Sequence, residues 1–285
     1  MKNKTIQRLL IFFIGLPLIA VLILLLPWYN HLALNCVIII FSALGAAEFS
    51  ALLVKKDLAI LKIEAIVLGA LPPLIMFLMV RFGFNEILLS AIISAVVLWL
   101  LVSGIVSKGA GIDNFLNRLT AGFAVLLYPG MLIAWLVRMS YWEEYANIII
   151  ITFLAAVFCS DGMAWLTGML FGKGNQGIVA VSPQKSIAGF IGGIFASVVV
   201  GTGAALIFPE IFVSDCPVAG SLLGLLTGIA AIFGDLGESA IKRSSGFKDS
   251  GTVIPGRGGV LDSIDSVVFA APVFYIAFRL LFAQA

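Results

Sequence analysis

The chain has 285 residues, of which 61% are hydrophobic and 11% charged, with a net charge of +2 and a single histidine. A soluble domain carries about 25% charged residues, so a water-soluble globule is excluded, and the near-neutral balance gives no basis for a nucleic-acid partner. The apolar runs are continuous rather than alternating, which selects membrane helices over the strands of a membrane barrel.

A membrane span needs about 20 mostly apolar residues. Nine stretches qualify in chain order: 9–28, 32–53, 62–80, 86–106, 118–137, 147–171, 187–208, 218–242 and 264–283. The first follows Lys2, Lys4 and Arg8, lacks a small-x-small cleavage site and runs straight into the second. It therefore reads as a retained anchor rather than a signal peptide. With the N-terminus inside, fourteen of the 17 Lys and Arg residues fall on the inner side, among them Lys55, Lys56, Lys62, Lys108 and Arg118. Only Arg81, Arg138 and Arg279 fall outside, which is the bias of the positive-inside rule. The expected fold class is all-α: a polytopic integral membrane protein of about nine transmembrane helices, with the N-terminus inside and the C-terminus outside. It is read as one membrane domain over 1–285.

Within that domain, residues 1–140 are apolar spans without site motifs. Glu48 is the exception, about five residues inside the inner end of the second span. A support role and a plain snorkelling acid both fit it. His31 falls in an outer turn and reads as an interfacial residue. Cys36, Cys159 and Cys216 are scattered, without metal-ligand spacing and without need of a disulfide. Any chemistry here has to run without a histidine.

Residues 141–285 differ, because two inner loops, 172–186 and 243–263, are long and rich in Gly, Ser, Lys and Asp. Unstructured loops beyond about 12–15 residues are commonly functional. Asp235 and Glu238 stand three apart at the inner end of the eighth span, and so share a helix face. Asp262 and Asp265, also three apart, open the ninth span. One Asp would serve as a helix cap. Asp235, Asp262 and Asp265 at one inner boundary exceed that need, and their mutual repulsion calls for a cation. Mg²⁺ takes oxygen ligands and binds one or two carboxylates together with substrate phosphates. Asp161, deep in the sixth span, is a further candidate ligand, and a second cation a further candidate cofactor.

Around these acids lie Ser239, Lys242, Arg243, Lys248, Arg257, Gly258 and Gly259. The cations suit phosphate, and the glycines would let backbone N–H groups form an anion nest. Ser182, Lys185 and Ser186, ahead of the seventh span, offer hydroxyls and an ammonium to an anion. No Walker A motif is present. Acids for a metal, bases for phosphate and glycines for close approach together describe a polyphosphate site.

The run from Ser239 through Lys242-Arg243, Lys248-Asp249, Ile254-Pro255-Gly256-Arg257-Gly258-Gly259-Val260-Leu261-Asp262-Ser263-Ile264-Asp265 resembles the signature of CDP-diacylglycerol synthases (phosphatidate cytidylyltransferases). Gly234-Asp235-Leu236-x-Glu238 and Ser182-Pro183-x-Lys185-Ser186, followed by Gly192-Gly193, are similar to that family too. The family usually has His where this chain has Arg257, and Arg where it has Ser263. The resemblance implies the reaction of CTP with phosphatidic acid to give CDP-diacylglycerol and pyrophosphate. It further implies Mg²⁺, a membrane-embedded homodimer, and catalytic roles for Asp235, Asp262, Asp265 and Lys248. The expected location is a bacterial inner membrane with the site on the cytoplasmic side, where soluble CTP and membrane lipid can meet.

Three alternatives make different demands, of which a membrane scaffold without catalysis predicts no nucleotide dependence at all. An ion-coupled transporter would use Asp161 as its mid-membrane site and leaves the inner cluster of acids and bases unexplained. A CDP-alcohol phosphatidyltransferase carries Asp-Gly-x2-Ala-Arg and then Gly-x3-Asp-x3-Asp. Here Asp161-Gly162 is followed by Met163-Ala164-Trp165, and the late acids are spaced by three.

Overall fold

The structure is a computed structural model that describes residues 2–58, 60–106, 114–142, 144–214, 216 and 218–282. Lys108, one of the expected inner-side cations, lies outside the described residues. The regular elements of the described residues are all helices, with two isolated bridges, Gln176 to Ser186 and Ile254 to Gly258, and no strand. The helices are α1 (Lys2–Leu25), α2 (Trp28–Val54), α3 (Lys62–Phe82), α4 (Glu86–Val106), α5 (Phe115–Val125), α6 (Leu132–Arg138), α7 (Ala146–Phe171), α8 (Ile187–Ile207), α9 (Ala219–Ser244) and α10 (Leu261–Leu281).

Among the described residues seven helical runs are long and apolar enough to cross a membrane: α2, α3, the continuous Phe115–Tyr141, α7, α8, α9 and α10. The nine expected spans all fall on helices. The two that fall short are α1 and α4, whose apolar stretches within the described residues are the shorter Ile14–Leu25 and Ile87–Ser103. The protein is an integral membrane protein built of helices.

The chain divides into two compact units, Met1–Tyr141 with Ser245–Ser263, and Trp142–Ser244 with Ile264–Ala285. The loop 243–263, grouped by sequence with residues 141–285, thus belongs mostly to the first unit.

In the first unit, Pro129 would break an ordinary helix because it has no N–H to donate. The chain absorbs it as a wider π turn, Leu126–Met131, between α5 and α6. The Ser42 hydroxyl lies 2.7 Å from both the Gly69 and Pro129 carbonyl oxygens, so one side chain ties α2 to α3 and to this turn. Glu64 and Arg118 form an ion pair at 3.1 Å. His31 is buried within the protein, at 1% exposure, near the start of α2. Tyr29, Asn30 and His31 take left-handed backbone angles, φ 55–57°, and the turn they make tucks the imidazole in. Beside it, Asn35 Nδ2 donates to the Asn30 carbonyl at 2.7 Å and to Ser140 Oγ at 3.2 Å.

In the second unit α7, α8 and α9 pack through small residues. A Cβ added at Gly224 of α9 would meet the Ser197 carbonyl and sit 2.7 Å from Val198 Cα on α8. Such backbone-to-backbone approach is how membrane helices gain packing energy when no hydrophobic effect separates helix from lipid. The Thr202 and Ser221 hydroxyls pair across the same contact at 2.8 Å. α10 contributes aromatic rings instead: Phe274 packs on Phe153, and Phe278 and Phe282 pack on Phe212, with centroids 5.2–5.5 Å apart.

Candidate active site

The second unit gathers acids from three helices. Asp161 lies on α7, Asp235 on α9 and Asp265 on α10. Ser266 Oγ donates to Asp161 Oδ1 at 3.2 Å, which brings the starts and middles of helices remote in sequence together. Asp265 feels the negative charges of Asp235 and Asp161 and the positive charge of Lys242. Gly234 permits this approach, since a Cβ there would sit 2.6 Å from the Asp265 carbonyl oxygen and 3.0 Å from Ser266 Cα.

Two lysines enter the same region. Lys185 Nζ is 2.6 Å from Asp235 Oδ2, with both side chains partly exposed. Lys242 pairs with the buried Glu238 one turn before it on α9. Ser239 is half-buried and Arg243 exposed on the same helix.

The loop 172–186 that carries Lys185 is held by Asn175, a residue the sequence reading passed over. Its carbonyl accepts from Ile187 N at 3.1 Å and its side chain donates to the Phe171 carbonyl at 3.0 Å. Ser182 accepts from Lys185 N at 3.1 Å through its carbonyl. Ser186 was expected to offer its hydroxyl to an anion. It is instead buried as the N-cap of α8, its Oγ accepting from Gly189 N at 3.1 Å.

Among the described residues, no three His, Cys, Asp or Glu side chains converge as a ready-made metal-ligand set. Asp161, Asp235 and Asp265 are nonetheless oxygen donors of the type Mg²⁺ prefers, and Mg²⁺ keeps several ligands from water and phosphate. The donor chemistry therefore fits Mg²⁺ held by one or two carboxylates.

Asp262 and the remaining predicted residues lie in the first unit, in the segment 245–263. Asp262 Oδ2 accepts from Ser250 N at 2.9 Å and from Gly259 N at 2.7 Å. Glu48 on α2 accepts from Val260 N and Leu261 N, both at 2.9 Å, and from Ser250 Oγ at 3.1 Å. Ile254 O receives both Arg257 N, at 3.2 Å, and Gly258 N, at 3.0 Å. The amides of residues 257–261 are thus directed to the chain's own acceptors. This corrects the expected anion nest at Gly258 and Gly259, because two carboxylates already fill the anion's place there. The glycines serve a different need: a Cβ at Gly258 would fall 2.5 Å from Asp262 Oδ2, and one at Gly259 would strike Ser250 and Glu48. Lys248 and Arg257 remain exposed on this loop, where their long side chains can reach an anion.

The chain belongs to the cytidylyltransferase family, whose model matches residues 6–281. It is similar to a phosphatidate cytidylyltransferase of Synechocystis, 38% identical over 135 residues, covering 47% of this chain and 44% of the relative. It is likewise similar to a phosphatidate cytidylyltransferase of Bacillus subtilis, 33% identical over 164 residues (56% and 58%). An uncharacterized protein of Escherichia coli is 34% identical over 171 residues (59% and 56%). The matches span about half the length of these curated relatives.

Proposed function

We propose that this protein transfers the cytidylyl group of CTP to phosphatidic acid, giving CDP-diacylglycerol and pyrophosphate. The observation that carries the reading is the group of Asp161, Asp235 and Asp265 with Lys185 ion-paired into it, in a chain of the cytidylyltransferase family. The relatives named phosphatidate cytidylyltransferase support the choice of substrates.

The nucleophile is the phosphomonoester of the lipid, whose second pKa is about 6 by analogy with phosphoserine. It is largely ionised at neutral pH, so the absence of a histidine from this group costs nothing. One lipid phosphate oxygen forms a bond to the α-phosphorus of CTP as the bond from that phosphorus to the bridging oxygen breaks, and pyrophosphate departs with the electron pair. Transfers of this kind depend on positioning and charge neutralisation. One or two of Asp161, Asp235 and Asp265 would hold Mg²⁺, with the remainder available to a second cation, to neutralise the phosphates. Lys185 neutralises phosphate charge, and Lys248, Arg257, Lys242 and Arg243 supply further cations. Asp262, expected with Asp235 and Asp265 as a metal ligand, enters this reading instead as a support for the loop that carries Lys248 and Arg257, because its Oδ2 accepts from the Ser250 and Gly259 amides. Nine membrane crossings, the N-terminus inside and the C-terminus outside, a cytoplasmic-side site in a bacterial inner membrane and a homodimer complete the proposal.

The test is purified protein in lipid nanodiscs with labelled CTP and phosphatidic acid, with and without Mg²⁺. The expected result is equal release of pyrophosphate and labelled lipid, dependent on the cation. Release of CMP, or no nucleotide consumption, would overturn it.

A further inference from the structure

Glu48 is a half-buried acid in an apolar helix, about two hundred residues away in sequence from everything it holds. Its two oxygens accept three hydrogen bonds, from Val260 N, Leu261 N and Ser250 Oγ. The first two are backbone donors at the start of α10, where a helix leaves its N–H groups without partners of its own. The third joins a second carboxylate to the arrangement. Ser250 Oγ donates to Glu48 and lies 3.3 Å from Asp262 N as its acceptor, while Ser250 N donates to Asp262 Oδ2. Both ends of segment 250–262 are therefore tied to one side chain on α2. The intervening residues close on themselves through Ile254 and Gly258. Glycine is required at 259 because a larger residue would strike both Ser250 and Glu48.

We infer that Glu48 is a positioning residue: it clamps the 250–262 loop and so sets where Lys248 and Arg257 present their charges to a phosphate-bearing substrate. The catalytic part of this inference rests on the proposed cytidylyl transfer. The clamp itself rests on geometry alone. A carboxylate suits the place because every partner it faces is a donor. Glutamine has the same shape but would aim an N–H₂ group at one of those donors, and alanine would leave all three unmatched.

The experiment compares the native chain with Glu48→Gln and Ser250→Ala, each in nanodiscs. It reads three quantities: the rate of tryptic cleavage after Lys248 and Arg257, the helix-melting midpoint, and KM and kcat for CTP. Glu48→Gln is expected to speed cleavage at those two positions by about 10-fold or more, the factor implied by losing one hydrogen bond to a charged group. The melting midpoint is expected to stay near the native value, and kcat/KM for CTP to fall by about 10-fold through KM more than through kcat. Ser250→Ala removes one donor of three and is expected to give a smaller change of the same kind, and it carries the test should Glu48→Gln fail to fold. Native cleavage rates in the folded variants overturn the clamp. Faster cleavage with native CTP kinetics overturns the positioning role. A native chain without CTP turnover, alongside faster cleavage in the variants, overturns the proposed function and leaves the clamp standing.

Discussion

Lys185 Nζ stands 2.6 Å from Asp235 Oδ2, an ion pair between the loop after α7 and the C-terminal half of α9. Both partners have other work in the proposed reaction: the acid holds a cation and the base faces phosphate. In that proposed reaction, their pairing would let each screen the other until substrate and cation arrive. The two side chains are partly exposed, so the pair itself contributes little to stability.

Replacing Lys185 by Ala should therefore move two measurements in opposite directions. Loss of the ammonium leaves Asp235 more attractive to Mg²⁺, and the Mg²⁺ concentration for half-activity should fall by up to about five-fold, the range of a solvent-screened ion pair. The KM for CTP should rise, because the cation that neutralises its phosphates is gone. A rise in both would place Lys185 outside the cation site.

Asp161→Asn, Asp235→Asn and Asp265→Asn should each lower turnover by at least about 100-fold, as removal of a group that stabilises transition-state charge does. Each variant keeps the shape of the side chain, so helix content by circular dichroism and elution as a single membrane-protein peak should be unchanged. Native turnover in any one of them would remove that residue from the cation site.

The spans and the charged loops were legible because they are local: apolar length marks a helix, and acids three apart at its end mark a face. The same local reading could not find the partner of Asp161, since Ser266 lies 105 residues away. Nor could it settle Glu48, whose partners near 250 and 260 leave no pattern around position 48. Gly258 and Gly259 were misread for a related reason. A glycine-rich run permits an anion beside the backbone, but composition does not say whether that anion comes from a ligand or from the protein's own Asp262 and Glu48. Ser186 was open to a better reading, because a serine three residues before Gly189 and just ahead of an apolar run is an ordinary N-cap.

The contact between α8 and α9 gives a stability prediction independent of function. Gly224→Ala places a methyl group against Ser197 and Val198 backbone, where no side chain can rotate away. It should destabilise the protein by about 1–3 kcal/mol, the usual cost of overpacking. Gly203→Ala, on α8 and with nothing within 4 Å of the new carbon, should be neutral or slightly stabilising because alanine is the better helix former. Thermal unfolding of the two variants side by side measures the difference, and equal midpoints would mean that the helices do not meet at Gly224.

Arg257 is one of the two positions, with Ser263, where the chain leaves the pattern it resembles. It sits exposed on the turn that Ile254 and Gly258 close, with Ile254 N donating to the Gly258 carbonyl at 2.8 Å and Gly256 in the left-handed region at φ 77°. That turn holds the backbone whatever side chain residue 257 carries, so substitution there should alter charge without unfolding the loop. Arginine and protonated histidine both donate to phosphate, but only histidine titrates near pH 6.5. Arg257→Ala should lose about 10-fold in kcat/KM for CTP, in keeping with one charged hydrogen bond, and Arg257→His should retain most of the native value below pH 6. The His variant should then lose activity as pH rises through its imidazole pKa, because the charged form is the one that binds phosphate. The native chain should show no such step at this position. The lipid phosphate also titrates near pH 6, so the measurement is the ratio of His variant to native activity from pH 5.5 to 8.5 on the same substrate. A flat ratio would mean that the charge at 257 is not used, and a ratio well above one throughout would mean that arginine hinders the reaction at this turn.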